Sequence, residues 1–217
     1  MNYNTMFLYD FETCSASAEK TQPVQVAGLA VHGRSLNIIP GSEFSCLMKP
    51  LYGEEAKAEE VDELQDGAIK VHGKTHEILS DAPNIESVIK NFCEHINQYN
   101  WKGNNWGKPI PVHYNGTNFD TVILKRYCEK FKIDYPFHPI HKVDMMDHMF
   151  ALFENDKSIK SLSLDNLVRG HFGYKDPEGM AAHDAMADVK LLHELFKRYM
   201  NLIRKLNKTT TFEGSMA

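Results

Sequence analysis

Two acidic residues, Asp10 and Glu12, stand at the end of the first apolar segment, Met6–Asp10, which predicts a β-strand. Side chains alternate across a strand, so the two carboxylates share one face and Phe11 points to the other. Such a pair offers oxygen ligands to a hard cation such as Mg²⁺ or Mn²⁺. With 13 Asp and 16 Glu in the chain, this spacing arises roughly once by chance. Its position at the end of an apolar strand, where α/β sheets commonly bind ligands, favours a metal site.

A third acid, Asp120, ends the segment Val112–Asp120, whose letters are V-H-Y-N-G-T-N-F-D. An apolar strand here leads through an Asn and Gly turn into a helix, and Asp120 falls near the helix N-terminus. Two interpretations of Asp120 stay open, because an aspartate at this position either contributes to a site or only caps the helix. Asn115 has the same ambiguity, since a turn alone explains an asparagine there.

The third group of chemically capable residues is the segment 183–188, with the letters H-D-A-M-A-D. It precedes a long helical pattern whose first turns carry small alanines, which leaves His183 on a loop and aims Asp188 towards the sheet. A lone histidine is most often an ordinary surface or core residue. The order of the three groups along the chain therefore carries the inference, rather than His183 alone.

That order, D-x-E, then N-x-x-x-F-D, then H-D-A-x-x-D, resembles the DEDD exonucleases, the DnaQ-like group, in their histidine-bearing DEDDh subclass. The segment Ala68–Pro83 is also similar to the family's segment before its first long helix, and Leu162–Gly173 to its stretch before the last motif. The resemblance spans Met6–Tyr199. Asn115, Gly116, Thr117 and Asn118 give a longer spacing than many bacterial proofreading subunits show, so the resemblance does not define the substrate contacts of this loop.

The resemblance implies an α/β fold of the ribonuclease H-like type, with a mixed five-stranded sheet flanked by helices. It implies a 3′–5′ exonuclease that hydrolyses phosphodiester bonds at nucleic-acid 3′ ends and releases nucleoside 5′-monophosphates. Two Mg²⁺ or Mn²⁺ ions per active site are the implied cofactors.

The resemblance also implies a role for each acid, and the metal ligands and catalytic acids are Asp10, Glu12, Asp120 and Asp188. One ion, held by Asp10, Glu12 and Asp188, carries the attacking water, and Asp10 and Asp120 hold the other, Asp120 acting in part through water. His183 is the implied proton acceptor, a role that suits an imidazole with a reference pKa of about 6.5.

Five residues are expected to contact the terminal nucleotide, namely Phe11, Thr13, His72, Asn115 and Phe119. Aromatic and imidazole faces stack on any base, which suits digestion of single strands without sequence preference. Outside the motif, phenylalanines such as Phe11 and Phe119 are more often core residues, and that alternative stays open. The expected partner is a single-stranded nucleic-acid 3′ end, with DNA slightly favoured over RNA.

The elements that must position these residues follow from periodicity and turn signals. Predicted extended segments are Met6–Asp10, Val24–His32, Phe44–Met48, Ile110–Tyr114 and Ile140–Val143. Predicted helices are Ile85–Tyr99, Phe119–Phe131, short helices near Met145 and Leu164, and a long helix over Val189–Ile203. Early strands followed by alternating helix and strand favour an α/β fold with a mixed sheet.

The bulk composition bounds the class of protein. The 217 residues, 42% of them hydrophobic, predict one domain over residues 1–208, which the resemblance implies is an exonuclease domain, and a disordered tail over 209–217. No apolar run approaches the roughly 18 residues of a membrane helix, and four scattered cysteines without a C-x-x-C pair indicate free thiols, so a cytoplasmic location is expected.

The net charge of −5 neither supports nor excludes a nucleic-acid partner, because the distribution of charge matters more than its sum. Basic residues form two clusters, one of Lys125, Arg126, Lys130 and Lys132 and one of Lys197, Arg198, Arg204, Lys205 and Lys208. Such runs are usually solvated helix faces.

Three other functions stay open at this level. The chain is alternatively a weakly active or non-catalytic partner subunit of a polymerase, or an RNA-trimming exoribonuclease. It is alternatively a structural metal-binding protein, although no EF-hand spacing supports that class. A homodimer partner is also compatible with the sequence.

Overall fold

The fold is built on one mixed sheet, seen in a computed structural model that describes residues 5–175 and 184–209. The strands in this part of the chain are Thr5–Thr13 (β1), Pro23–His32 (β2), Phe44–Leu47 (β3), Ile110–His113 (β4) and Val143–Asp144 (β5). Their order across the sheet is β3-β2-β1-β4-β5. The first three strands pair antiparallel, whereas β4 runs parallel to β1 and β5 runs parallel to β4. The predicted mixed five-stranded sheet is confirmed.

Helices cover both faces of the sheet. The α-helices of the described residues are Gly53–Ala58 (α1), Asp66–His72 (α2), His76–Ser80 (α3), Ile85–Asn97 (α4), Asp120–Phe131 (α5), Met145–Phe153 (α6) and Ala185–Thr209 (α7). Buried side chains of α4 and α5 pack with Phe7, Tyr9 and Phe11 of β1 in one core cluster. Those of α6 and α7 pack with Leu8 and with β2 in a second cluster. Alternation along β1 therefore divides the core into two layers, and Asp10 and Glu12 lie on the face that α7 covers.

Local chemistry explains where the best-predicted helix begins. Asn84 precedes α4, and its side chain accepts a hydrogen bond from the amide of Ser87 at 2.9 Å, which satisfies a donor of the first turn. The apolar stripe of the predicted helix is buried against the sheet. That burial, rather than helix propensity, supplies most of its stability.

The structure corrects the extended segment predicted at Ile140–Val143. The strand is Val143–Asp144, and Ile140 is 65% exposed. The amides of Ile140 and His141 both donate to Nδ1 of His138, which folds this segment into a turn instead of a ladder. Because the prediction uses only the spacing of apolar residues, an apolar residue in a turn can be assigned wrongly to a strand.

Two further differences concern helices. The helix predicted near Leu164 continues as a wider helical turn over Asn166–His171, in which the amide of Phe172 donates to the carbonyl of Leu167, five residues earlier. The short helices α1, α2 and α3 are not predicted from the sequence, because five to seven residues do not establish a helical period.

The ends of the described segments bear on two predictions. Thr209 is the last residue of α7, and residues 210–217, where most of the predicted tail falls, lie outside the described residues. His183 also lies outside them, whereas Asp184 is described. Over residues 5–175 and 184–209, no helix has both the length and the apolar character needed to cross a membrane.

Candidate active site

The first two acids reach the edge of the sheet because β1 is longer than predicted. It continues to Thr13, so Asp10 and Glu12 both lie within the strand and pair with Ala27 and Gln25 of β2. The carboxyl ends of the parallel strands β1, β4 and β5 meet at this same edge. Ligands of α/β sheets commonly bind at such an edge.

The third acid of the cluster, Asp188, comes from α7. Asp10, Glu12 and Asp188 each place a carboxylate oxygen within 4.8 Å of the other two. Oxygens that bind one Mg²⁺ or Ca²⁺ at about 2.0 to 2.6 Å lie no farther apart than roughly 5 Å. The three acids therefore fit a divalent cation.

Asp120 reaches the site from the other layer of the fold. It is the first residue of α5, and its Oδ1 accepts a hydrogen bond of 3.0 Å from the amide of Phe11 on β1. The side chain is only 4% exposed. Its interaction with a strand 109 residues away in sequence shows that it does more than cap its own helix.

Gly116 lets the backbone of its loop approach the side chains of Asp120 and His113 closely. A Cβ atom at Gly116 would lie 2.9 Å from Oδ2 of Asp120 and 2.6 Å from Cγ of His113. These distances are shorter than ordinary van der Waals contacts, so a side chain at this position would displace Asp120.

Burial and mutual repulsion disfavour the ionised acids. Burial raises the pKa of Asp10 well above its usual value, and the carboxylates of Asp120 and Glu12 raise it further. Burial, followed by the charge of Asp188, raises the pKa of Glu12 to about 8, although Lys74 opposes the shift. Burial also raises the pKa of Asp120 to about 6, against the opposing effect of His113 and the Phe11 amide. A bound cation would relieve this repulsion.

These shifts predict a pH-dependent stability without metal. The pKa of Glu12 is about 8 in the folded protein and 4.5 as its reference value, so the folded state binds the proton more tightly. Its contribution to the free energy of unfolding is complete below about pH 4.5 and is lost as the pH rises to about 8, on the order of a few kcal/mol. Thermal unfolding in EDTA should therefore give a lower midpoint at pH 8 than at pH 6.

Glu12→Gln is the matched variant for this pH experiment, because it keeps the shape and removes the titration. Its midpoint should vary less with pH between 6 and 8, and Mg²⁺ should raise the wild-type midpoint more at pH 8 than at pH 6. A wild-type midpoint that rises from pH 6 to pH 8 in EDTA would contradict this account of the cluster.

Asp144 supports the site but is not predicted from the sequence. It ends β5, and its Oδ1 accepts hydrogen bonds from the amides of Asn115 at 2.8 Å and Met146 at 3.1 Å. Its Oδ2 accepts from the amide of Thr117 at 3.0 Å and lies 3.3 Å from Nδ1 of His113. Burial acts to raise its pKa, but the His113 ring and the loop amides outweigh burial and hold the pKa of Asp144 well below its usual range. Asp144 thus fixes the loop that leads to Asp120.

A groove adjoins the acid cluster, with a volume of about 580 Å³. This volume lies within the range of about 300 to 1,000 Å³ common for small-molecule sites. All five residues expected to contact substrate line it, together with Glu12, Ser15, Ala16, Gln65, Gly67, Ala68 and Val71. The groove and the metal-ligand acids therefore meet at Glu12.

The substrate candidates differ in what they present to the groove. Phe11 is 5% exposed and its ring contacts those of Tyr9 and Phe92 at steep angles, so most of its surface is buried in the core. Phe119 is half-buried and has more of its ring available. His72 is buried, its Nδ1 accepts from the amide of Lys74, and its Nε2 lies 3.2 Å from the carbonyl of Thr13. Its ring nitrogens thus support the backbone around the groove.

The two basic clusters take part in structural contacts. Arg126 donates to the carbonyls of Glu19 and Thr21, and Lys130 pairs with Glu59. In the second cluster, Arg204 donates to the carbonyls of Arg34 and Gly33. These contacts favour the interpretation of the clusters as helix faces that also support neighbouring loops.

Solved structures share the fold of this chain. Escherichia coli exonuclease I in complex with a dT13 oligonucleotide matches 93% of this chain and 43% of its own, with 22% identity and a TM-score of 0.67. The zinc-bound form of the E. coli exonuclease I complex with single-stranded DNA matches 94% and 43%, with 21% identity and a TM-score of 0.68. Cell-death related nuclease 4 (CRN-4) matches 93% and 65%, with 17% identity and a TM-score of 0.69. The predicted ribonuclease H-like fold is confirmed.

The chain spans less than half the length of E. coli exonuclease I. None of the curated proteins compared with the sequence matches it significantly. The family model of the exonucleases, RNase T, matches residues 7–196, which include the whole acidic set from Asp10 to Asp188. The chain therefore belongs to this exonuclease family, of the DEDD type.

Proposed function

We propose that this protein is a divalent-metal-dependent 3′–5′ exonuclease that releases nucleoside 5′-monophosphates from single-stranded nucleic acid, with DNA favoured over RNA. The observation that supports this function best is the junction of the groove and the acid cluster at Glu12. A terminal nucleotide in the groove would place its phosphate beside the only arrangement of carboxylates found, among the described residues, to fit a metal ion. The family membership agrees with this chemistry.

The residues that would hold the cations are the four acids. Asp10, Glu12 and Asp188 would share one ion, and Asp10 and Asp120 the other. Because Oδ1 of Asp120 is bonded to the Phe11 amide, its other oxygen or an intervening water would act as the ligand. When bound, the two cations would stabilise the attacking and leaving oxygens of an in-line phosphoryl displacement. Mg²⁺ or Mn²⁺ suits this all-oxygen site.

The protein's own residues would bind and orient the nucleotide. Among the residues that the structure describes, no Lys or Arg lines the groove. The negative charge of the phosphate must therefore be balanced mainly at the metal site. Phe119 would contact the base, and Asn115 and the backbone near Thr13 would contact the sugar and phosphate. Asp144 would maintain the position of Asn115 through its hydrogen bond to that amide.

Proton transfer is the role proposed for His183. It directly precedes Asp184 in the chain and lies outside the described residues. The role rests on the family motif and on the suitability of an imidazole for general-base catalysis near neutral pH. It stays a prediction, as does the cytoplasmic location of the protein.

The test is a product ladder from the purified chain. Single-stranded and duplex DNA and RNA, each labelled at the 5′ end or internally, would be incubated with Mg²⁺, Mn²⁺ or EDTA. We expect shortening from the 3′ end, release of 5′-mononucleotides and no reaction in EDTA, fastest on single-stranded DNA. Faster digestion of RNA would select the exoribonuclease alternative, and metal binding without any cleavage would favour a non-catalytic subunit of a polymerase.

A further inference from the structure

A network of side chains beside the acid cluster holds the first turn of α7. Asp184 directly precedes this helix, and its Oδ1 accepts a hydrogen bond of 3.1 Å from the amide of Met186, as a capping residue does. Its Oδ2 accepts from Nε2 of Gln25 at 2.9 Å and from Nζ of Lys74 at 3.3 Å. Asp184 is thus both a helix cap and an anchor to two distant elements.

Gln25 supplies the connection between α7 and the sheet. It lies on β2 directly opposite Glu12 and is 5% exposed. Besides donating to Asp184, it accepts a hydrogen bond from the amide of Ala185 through Oε1 at 3.3 Å. One buried amide therefore binds two consecutive residues at the start of α7.

Asp188 lies one helical turn after this anchor. Its amide donates to the carbonyl of Asp184 at 3.0 Å, so the positions of the two residues are coupled through the backbone. In the absence of metal, Asp188 is repelled by Asp10 and Glu12, whose oxygens lie within 4.8 Å. The contacts of Gln25 and Lys74 to Asp184 hold the start of α7 against this repulsion, in addition to the buried apolar side chains of the helix.

We propose that Gln25, Lys74 and Asp184 form a latch that fixes the first turn of α7 and so positions Asp188 for binding the metal. These three are positioning residues, since their hydrogen bonds hold the start of α7 and do not involve the substrate. The link to nucleotide cleavage rests on the proposed exonuclease function, whereas the link to metal binding does not.

Gln25→Glu is the most direct test, because it keeps the size of the side chain and replaces the donor that faces Asp184 with an acceptor. Partners that orient metal ligands typically contribute 10- to 100-fold to metal affinity or activity. We expect the Kd for Mn²⁺, measured by electron paramagnetic resonance, to rise by about 10-fold or more. We expect kcat to fall by a similar factor and KM to change less than about twofold, because the latch does not touch the groove.

A second substitution tests whether the hydrogen bond itself matters. In Gln25→Glu combined with Asp184→Asn, the new amide can donate to the new carboxylate, so the link re-forms with donor and acceptor exchanged. This double variant should bind Mn²⁺ more tightly than Gln25→Glu alone. Hydrogen exchange of residues 186–190 in EDTA should increase in the single variant and recover in the double variant.

Gln22→Glu is the matched control. Gln22 is also buried, and its Nε2 donates to the carbonyls of Leu51 and Asp62, away from α7. It should lose stability yet retain the wild-type Kd for Mn²⁺. If Gln25→Glu does not fold, Gln25→Leu removes both hydrogen bonds to the start of α7 without adding or removing a charge and should also raise the Kd.

A wild-type Kd for Mn²⁺ in the folded Gln25→Glu variant would overturn the latch, and so would an equal loss of affinity in Gln22→Glu. The metal measurements also separate the latch from the proposed function. A wild-type protein without nuclease activity would refute the exonuclease proposal and leave the latch testable by Mn²⁺ affinity. An active nuclease with an unchanged Kd and kcat in Gln25→Glu would refute the latch alone.

Discussion

Asp10→Asn should lower the rate of nucleotide release by about 10³-fold or more while raising the thermal midpoint of the metal-free protein. Metal ions contribute several kcal/mol to such reactions, and each 1.36 kcal/mol changes the rate tenfold. Asp10 belongs to the cluster whose oxygens lie within 4.8 Å, so the neutral amide removes a ligand. It also removes repulsion from Glu12 and Asp120, which together with burial raises the pKa of Asp10. Activity and stability should therefore change in opposite directions.

The measurement combines initial rates on a labelled oligonucleotide in Mg²⁺ with thermal unfolding in EDTA. Asp147→Asn serves as the control, because Asp147 is an exposed acid in the first turn of α6. This control should keep its rate and should not gain stability. A rate for Asp10→Asn within tenfold of the wild type, or a lower metal-free midpoint, would be incompatible with the proposed site.

Asp144→Asn should be the most destabilising conservative change near the site, by about 2 to 4 kcal/mol. The carboxylate is buried, accepts from the amides of Asn115, Thr117 and Met146, and lies beside His113. An asparagine keeps the shape but turns one acceptor into a donor that faces an amide. Because the pKa of Asp144 is depressed, its stabilisation is complete above a pH of about 3.8 and is present at neutral pH.

Urea unfolding of the metal-free protein at neutral pH would measure this loss. Asp156→Asn is the matched control, because Asp156 also accepts from a turn, through the amide and hydroxyl of Ser158, but is exposed. It should change the free energy of unfolding far less than Asp144→Asn does. Equal losses in the two variants would show that Asp144 has no special role in fixing the loop before Asp120.

The acidic set could be predicted because its members lie in strands and helices that the sequence marks clearly. Asp10 and Glu12 extend an apolar strand, Asp120 begins a helix after a turn, and Asp188 lies in a helix with a strong apolar stripe. These patterns are local, so a single sequence contains them. In the structure, Asp10, Glu12 and Asp188 lie together, and Asp120 accepts a hydrogen bond from β1. The catalytic roles of these acids stay predictions.

The supporting residues could not be predicted in the same way. Gln25 lies within a strand and Asp144 at the end of a two-residue strand, and neither belongs to a recognisable motif. Their importance comes from partners far along the chain, since Gln25 and Asp184 are 159 residues apart and Asp144 and Asn115 are 29 apart. The sequence alone does not show whether a carboxylate or an amide side chain is buried or exposed.

The amino-acid sequence by itself determined which acidic side chains are candidates for the chemistry and which strands and helices bear them, because residue type, apolar period and turn residues act locally. Only the tertiary structure decided how these side chains are held. The parallel pairing of β1, β4 and β5 brings the carboxyl ends of three strands to one edge, and α7 brings Asp188 to Asp10 and Glu12. The physical reason is that burial, repulsion and hydrogen-bond partners depend on distances across the folded chain, which no local pattern records.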